Sequence, residues 1–465
     1  MTAGALPEPW SRGAARGPDG AMRVGGVDLR ELAAGQGTPS YVLDEADFRS
    51  RARAYRTAFE QAFAAVGSGV DVYYAGKALL TVAVAGWARE EGLRVDTASG
   101  GELAVALRAG VPGGELGLHG NNKSDAELEQ ALDVGVGRII VDSLVEIERL
   151  ADLVAARGGD PAPVMVRVTT GVHAGGHEYI STAHEDQKFG LSVARGADGS
   201  ESPAFTALRA VLARPELRLL GIHSHIGSQI LDPDGFEVAA RVVLQLRADL
   251  ADATGVLVEE VDLGGGYGIA YLPGEVALDP ERVAKDVAGA VDGIAARLGT
   301  PLPRFSIEPG RAIVGPAGLT LYTVGTVKPV TVTRPGANDG SEGETLVRTY
   351  VSVDGGMSDN IRPALYGARY HAELANRVSD AAPVLARVVG KHCESGDIVV
   401  HDVELPGDVR AGDLLAVAAT GAYGRSMASN YNLLPRPPVV AVGDGGTRVL
   451  VRRETVDDLL ALDLG

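Results

Sequence analysis

Between Val70 and Ile307 the chain repeats one pattern eight times: a short run of β-forming residues, then, in all but one case, an amphipathic helix. The strands read as Val70–Tyr74, Leu93–Asp96, Glu115–Leu118, Arg138–Val141, Pro163–Val168, Leu217–His223, Val258–Leu263 and Arg304–Ile307. Helical spacing of apolar residues fills the gaps over Leu79–Glu91, Gly101–Ala109, Ser124–Leu132, Leu144–Ala156, Ala204–Ala213, Phe236–Ala253 and Glu281–Leu298. Strands joined by helical crossovers run parallel. Eight such units in about 240 residues match a (β/α)8 TIM barrel. A doubly wound open sheet stops earlier, at roughly five to seven strands. The expectation is an α/β TIM barrel over residues 45–316, led in by a helix over Glu45–Ala65 that Asp44 can cap. One segment breaks the rhythm. Residues 171–190 are polar, hold His173, His177 and His184, and follow the fifth strand, where a long loop is expected to be a lid or substrate loop.

After Pro316 the helices thin out. Leu319–Lys328, Thr345–Val353, Val384–Val389, Ile398–Leu405, Leu414–Ala419 and Val439–Val451 read as strands between Gly, Asp and Pro turns. This predicts an all-β C-terminal domain over residues 317–465, with an exposed insertion near 335–344. Residues 1–23 are rich in Gly, Ala, Pro and Arg, lack a continuous apolar run, and are expected to form a disordered leader rather than a signal peptide. Residues 24–44 hold two short strands expected to pack with the β domain. A chain of 465 residues exceeds one compact domain, which agrees with this division. The net charge of -18 argues against nucleic acid or an anionic membrane as partner. No apolar run reaches the roughly 18 residues of a membrane span. Cys393 is the only cysteine, so no intrachain disulfide can form, which suits a reducing, cytoplasmic setting.

In a TIM barrel the C-terminal ends of the strands build the active site. The chemically costly residues of this chain gather there. Lys77 follows the first strand, Asp96 ends the second, and Asn121 and Asn122 follow the third. His223, His225 and Ser228 lie at the sixth, Gly264-Gly265-Gly266 follows the seventh, and Glu308-Pro309-Gly310-Arg311 follows the eighth. Each alone has a structural explanation: a lysine stem can pack while its amine reaches a carboxylate, and a Glu near an Arg is usually an ion pair. Structural accidents, however, would scatter over both ends of the barrel. The glycines let the backbone approach an anion, in the loops after strands seven and eight where this fold binds phosphate. A lysine on the opposite side can form a Schiff base if it is desolvated. A phosphorylated aldehyde that bridges the two is pyridoxal phosphate. Glu308 then suits the pyridine nitrogen, and the imidazole of His225 a ring face. No metal is expected.

The motifs Tyr74-Ala75-Gly76-Lys77-Ala78, His223-Ser224-His225-Ile226-Gly227-Ser228, Asp262-Leu263-Gly264-Gly265-Gly266 and Glu308-Pro309-Gly310-Arg311 resemble the fold-type III pyridoxal phosphate decarboxylases. His184-Glu185-Asp186-Gln187-Lys188-Phe189-Gly190, Met357 to Tyr366, Cys393-Glu394-Ser395-Gly396-Asp397 and Gly421-Ala422-Tyr423-Gly424 narrow the resemblance to the bacterial diaminopimelate decarboxylases. It covers about residues 25 to 460. The resemblance implies an alanine-racemase-like barrel joined to a β domain. It implies Lys77 as the residue linked to the cofactor, His225 on its face and Glu308 at its nitrogen. Ser228, Gly265, Gly266, Gly310 and Arg311 would line the phosphate, with Asp96 as an acid near the cofactor. Arg311, Arg362 and Tyr366 would hold the distal head of the substrate, and Tyr423 would touch cofactor and substrate. Cys393 and Glu394 would enter from the second subunit of a homodimer.

The implied reaction converts meso-2,6-diaminopimelate to L-lysine and CO2, the last step of bacterial lysine biosynthesis, with Cys393 as the proton donor. A second amino-acid head needs arginines that bind a carboxylate, as Arg311 and Arg362 could, whereas ornithine would need an acid. Decarboxylation of ornithine, arginine or carboxynorspermidine, and a non-catalytic relative that binds pyridoxal phosphate, remain as alternatives. A racemase of this fold would sooner place an arginine than Glu308 at the pyridine nitrogen.

Overall fold

The computed structural model describes residues 4–171, 187–333 and 345–465. Most of the 171–190 loop, with its three histidines, and the 335–344 insertion lie outside the described residues. The chain divides into two compact units. One comprises Arg49–Gly268 and Ala277–Ala312, the other Met1–Phe48, Ile269–Val276 and Ile313–Gly465.

The first unit is a closed parallel barrel. Its strands are Val70–Ala75, Arg94–Thr97, Leu116–Leu118, Arg138–Val141, Ala162–Thr169, Leu217–Ser224, Glu260–Asp262 and Arg304–Ile307. Each pairs in parallel with the next, and the eighth returns to the first through Phe305 opposite Val70. The β-branched runs expected of strands covered on both faces are there: all four residues of Arg138–Val141 are buried. The helices begin where side chains can cap them. Ser99, Ser124, Ser143, Ser202 and Asp279 each accept a backbone N–H of the first turn. Helix Pro280–Leu298 buries Val283, Ala284, Val287, Ala288, Val291, Ile294 and Ala295, one stripe at helical spacing.

Register decides which side chains share the barrel interior. Arg167 lies opposite His223, His223 opposite Asp262, and Asp262 opposite Ser306. Asp96 lies opposite Gly117, and Gly117 opposite Arg138. In-register neighbours on parallel strands point to the same face, so a belt of polar residues forms inside an otherwise apolar core.

In the second unit the long strand Gly318–Thr333 is the spine. It pairs antiparallel with Thr345–Val353, with Leu414–Val417 and with Ser40–Asp44. Ser40–Asp44 pairs on its other side, in parallel, with Val439–Gly443. The run expected as one strand over Val439–Val451 is a hairpin, Val439–Gly443 and Gly446–Val451. Its turn residues Asp444 and Gly445 both have positive φ, the geometry that joins two antiparallel strands most tightly.

The expected disordered leader is instead structured. Gly4–Ala5, Ala14–Arg16, Met22–Val24 and Val27–Asp28 form a four-stranded antiparallel sheet. Trp10, Ala14 and Met22 are buried against Leu29, Leu32, Leu319, Leu321, Ala416 and Val440. The Trp10 indole donates to Glu373 (3.2 Å), Arg16 pairs with Glu373 (2.6 Å), and the Met22 N–H donates to the Ala375 carbonyl (2.7 Å). A composition with few apolar residues signals disorder only when the segment must build its own core; this one borrows a core from strands about 300 residues away. Among the described residues no helix is long and apolar enough to cross a membrane.

Trp10→Ala should cost about 3–5 kcal/mol of stability, as expected for a buried aromatic in a packed core. A urea midpoint unchanged from wild type would show that the leader is not part of the cooperative fold.

Candidate active site

Lys77 sits in a single 3-10 turn, Gly76–Ala78, directly after the first barrel strand. The expectation of a desolvated lysine is not met: Lys77 is exposed, because the turn lifts it off the buried strand. The Tyr74 hydroxyl ties the turn down by donating to the Leu79 carbonyl at 2.7 Å. The lysine charge is felt by Asp96 and by His225.

Glu308, just past the eighth strand, is buried and surrounded by imidazoles. Nε2 of His223 lies 3.0 Å from its Oε1, and Nε2 of His119 3.4 Å from the same atom. The rings of His119 and His223 meet edge to face, centroids 5.1 Å apart. Burial and the neighbouring Asp96 push the Glu308 carboxyl up; the two imidazoles outweigh them and hold it well below the ordinary carboxylate range. Burial holds His119 well below its ordinary value, so that ring is neutral. Glu308 is therefore an ionised acceptor in a dry site, suited to a protonated ring nitrogen. Among the described residues these three are the one set of His, Cys, Asp and Glu side chains close enough to hold a metal ion.

Asp96 ends the second strand beside them. Its Oδ1 is 3.2 Å from Nε2 of His119 and 3.8 Å from Nη2 of Arg138. Burial pushes its carboxyl up to about 7. Arg138 forms the floor. It is fully buried, with Nη2 2.6 Å from Asp262, Nη1 donating to Ser306 at 2.7 Å, and the guanidinium 3.6 Å above the ring of Tyr73.

The glycine loops close the other side. Gly264 (φ 70°) and Gly266 (φ 110°) adopt left-handed backbone that other residues resist. A Cβ on Gly265 would lie 2.3 Å from the Glu308 carbonyl oxygen, and one on Gly266 2.5 Å from that of Gly227. The Gly265 N–H points at Nδ1 of His225 (3.3 Å), which leaves the proton of that neutral ring on Nε2. Arg311 donates to Ser228 at 2.6 Å and so joins the loops after strands six and eight. Gly310 is pinned by close packing: a Cβ there would come within 2.9 Å of Ala75.

The barrel unit thus holds Lys77, Asp96, His225, Ser228, Gly265, Gly266, Glu308, Gly310 and Arg311. The other unit holds Arg362, Tyr366, Cys393, Glu394 and Tyr423. There Arg362 is buried at the start of helix Arg362–Tyr366; it donates to the Tyr271 hydroxyl at 2.9 Å and to that of Tyr370, and lies over the rings of Tyr271, Tyr370 and Tyr423. Tyr366, Cys393 and Glu394 are exposed. The Cys393 N–H donates to Oδ1 of Asn432 (3.3 Å), which also bonds Nδ1 of His392 (3.1 Å). Tyr423 has positive φ (59°), a strained conformation for a tyrosine.

Sequence reasoning missed His119, Arg138, Tyr271 and Tyr370, and gave Asp262 no role beyond its place in a motif. Two signals were available: an arginine opening the apolar strand Arg138–Val141, and His119 directly after the third strand. Arg138→Ala leaves Asp262 buried without its cation and should cost about 3–5 kcal/mol, with part recovered in Arg138→Lys. Chemical denaturation reads this directly; a loss under about 1 kcal/mol would mean the pair contributes little.

These residues fit pyridoxal phosphate: an amine on the rim, an ionised acceptor for a cationic ring nitrogen, and glycines whose backbone must come close to whatever fills the space. The pyridoxal-binding domain of the pyridoxal-dependent decarboxylases matches residues 45–315. Over 462 residues the chain is 52% identical to the diaminopimelate decarboxylase of Mycobacterium tuberculosis, covering 98% of each chain. It is 45% identical to that of Bacillus subtilis over 445 residues, covering 96% of this chain and 95% of the relative. Among solved structures, the M. jannaschii diaminopimelate decarboxylase in complex with L-lysine superposes with a TM-score of 0.85 at 32% identity, covering 96% and 97% of the two chains. Near-complete coverage at such identity means that the chain belongs to the diaminopimelate decarboxylase family of pyridoxal-dependent decarboxylases.

Proposed function

We propose that this chain is the carboxy-lyase that converts meso-2,6-diaminopimelate to L-lysine and CO2. The observation that carries the reading is the pairing of a rim lysine, Lys77, with an ionised, imidazole-bonded Glu308 across one barrel mouth. Lys77 would hold the aldehyde of pyridoxal phosphate, Glu308 the ring nitrogen and His225 a ring face. Ser228, Gly265, Gly266, Gly310 and Arg311 would hold the phosphate, with Asp96 and Tyr423 at further edges. Bound there, the cofactor supplies an electron sink for the pair left behind when CO2 departs.

The protein does the rest. The guanidinium of Arg362, oriented by two tyrosine hydroxyls, suits a carboxylate at the distal end of the substrate. Arg311, Tyr366, Glu394 and Tyr423 complete that head group. The Cys393 thiol gives its proton to the carbon that lost CO2, and the thiolate recovers one from water. Ornithine and arginine lack the second carboxylate these residues would bind, and the relatives' names favour diaminopimelate over them.

A homodimer suits the exposed surface of the β unit. Tyr366 is 66% exposed and Leu433 69%, close in sequence to Arg362 and Asn432, and a second copy would cover them. In that arrangement the partner's Cys393 and the partner's Glu394 complete each site. A cytoplasmic setting keeps that cysteine a thiol.

Lysine release from the meso isomer, dependent on added pyridoxal phosphate and absent with ornithine or arginine, is the decisive assay; lysine released equally from every stereoisomer, or none, overturns the substrate. Lys77→Ala should abolish turnover, and full activity without added amine would refute its role. Cys393→Ala should lower kcat by about 10²–10⁴-fold. Mixed Lys77→Ala and Cys393→Ala subunits should recover about a quarter of wild-type activity, since half the dimers are hybrids with one intact site; no recovery counts against a shared site.

A further inference from the structure

Two carboxylates, Asp96 and Glu308, flank one imidazole. Nε2 of His119 is 3.2 Å from Asp96 Oδ1 and 3.4 Å from Glu308 Oε1, yet one ring nitrogen carries at most one N–H. Glu308 has its donor in His223, and Nε2 of His119 has no hydrogen-bond partner among the described residues. Asp96 has none: neither of its oxygens has a hydrogen-bond partner among the described residues. The nearest guanidinium nitrogen, Nη2 of Arg138, is 3.8 Å away and engaged with Asp262 at 2.6 Å. The adjacent strand offers only Gly117, whose absent Cβ would stand 2.6 Å from Asp96 Oδ1. A buried carboxylate without a donor is far more stable as the acid. The charges that face Asp96 are opposed: Arg138, His223 and Lys77 favour its ionised form, and Asp262 disfavours it. Glu308 stands beyond His119.

We propose that Asp96 is a proton store for the cofactor seat, and His119 the residue that positions it. The inference rests on Glu308 as the partner of the ring nitrogen. Below neutrality Asp96 keeps its O–H while the seat is open. When Glu308 bonds a cationic ring, the added positive charge favours the ionised form of Asp96. Its O–H bond breaks, the proton leaves to water, and Nε2 of His119, which has no hydrogen-bond partner among the described residues, donates its N–H to the new carboxylate. The filled state holds one proton fewer, so cofactor affinity rises with pH until Asp96 is ionised in the empty state and is level above that point. The burial-raised Asp96 carboxyl, at about 7, puts that point near neutrality.

The test compares pyridoxal phosphate binding by the full-length apoenzyme, wild type and Asp96→Asn, across pH. Titration of the cofactor and of Lys77 is common to both, so their ratio isolates Asp96. Below neutrality the wild-type affinity should fall about tenfold per pH unit relative to the variant. Calorimetry in two buffers should count up to one more proton released by wild type at about pH 6 and none at about pH 9. His119→Phe should shrink that count, since ionised Asp96 loses its donor; a count equal to wild type refutes the positioning role. Equal pH dependence in wild type and Asp96→Asn overturns the proposal. If Asp96→Asn does not bind cofactor, infrared spectra of the apoenzymes decide: the wild type should show a carboxylic-acid band at low pH that Asp96→Asn lacks, and its absence overturns the proposal. Glu308→Ala separates the two ideas. Undiminished cofactor affinity there defeats the ring-nitrogen reading, whereas lost affinity beside an unchanged Asp96→Asn profile defeats only the proton store.

Discussion

An ionised carboxylate in a dry barrel is the constraint on which the rest of this structure turns. Burial alone would neutralise Glu308. It stays charged because the imidazole of His119 stands 3.4 Å from its Oε1 and that of His223, from two strands away, presents Nε2 at 3.0 Å. That arrangement needs every strand in register. Were the sixth strand shifted by one residue, His223 would point into the helical layer and Glu308 would lose its donor. The helix caps, the apolar strand cores and the closure of the first strand on the eighth all serve to hold that register.

The floor beneath Glu308 shows how the cost of buried charge is met. Arg138 meets Asp262 as an ion pair, donates to Ser306 and lies over the face of Tyr73, so its charge is compensated although its Nε and Nη2 make no hydrogen bond. Asp96 is the exception, a carboxylate left with no donor among the described residues. Strain or unmet bonding of this kind is stable only when surrounding structure over-determines it, and it concentrates where a protein handles ligands. Gly117 is part of the same design: any side chain there would displace Asp96.

The β unit prepares a different kind of group. Arg362 is buried and braced by Tyr271 and Tyr370 before any ligand arrives, so little of its freedom remains to be lost on binding. The turn at Cys393 is held by Asn432 and His392, while the thiol itself is open. Tyr271 comes from a short segment, Ile269–Val276, that leaves the barrel chain and joins the β unit.

Much of this was legible in order. Alternation of β-rich runs with helical stripes is a local signal, and it located all eight barrel strands to within about two residues, along with the rim positions of Lys77, Asp96, Glu308 and the three glycines. Other features depend on partners distant in the chain. Residues 4–23 looked disordered because their few apolar side chains find a core only in strands such as Gly318–Thr333 and Val439–Gly443. Lys77 looked desolvated because the sequence cannot show that a single turn lifts it clear. His119 and Arg138 looked ordinary because a histidine or arginine acquires a role only from what faces it. The sequence by itself determined the fold class and the residue types on the rim, since both follow from periodicity along the chain. Only the tertiary structure decided which carboxylate is held ionised and which is pushed up towards neutrality, because that depends on burial and on donors brought within about 3 Å from other strands.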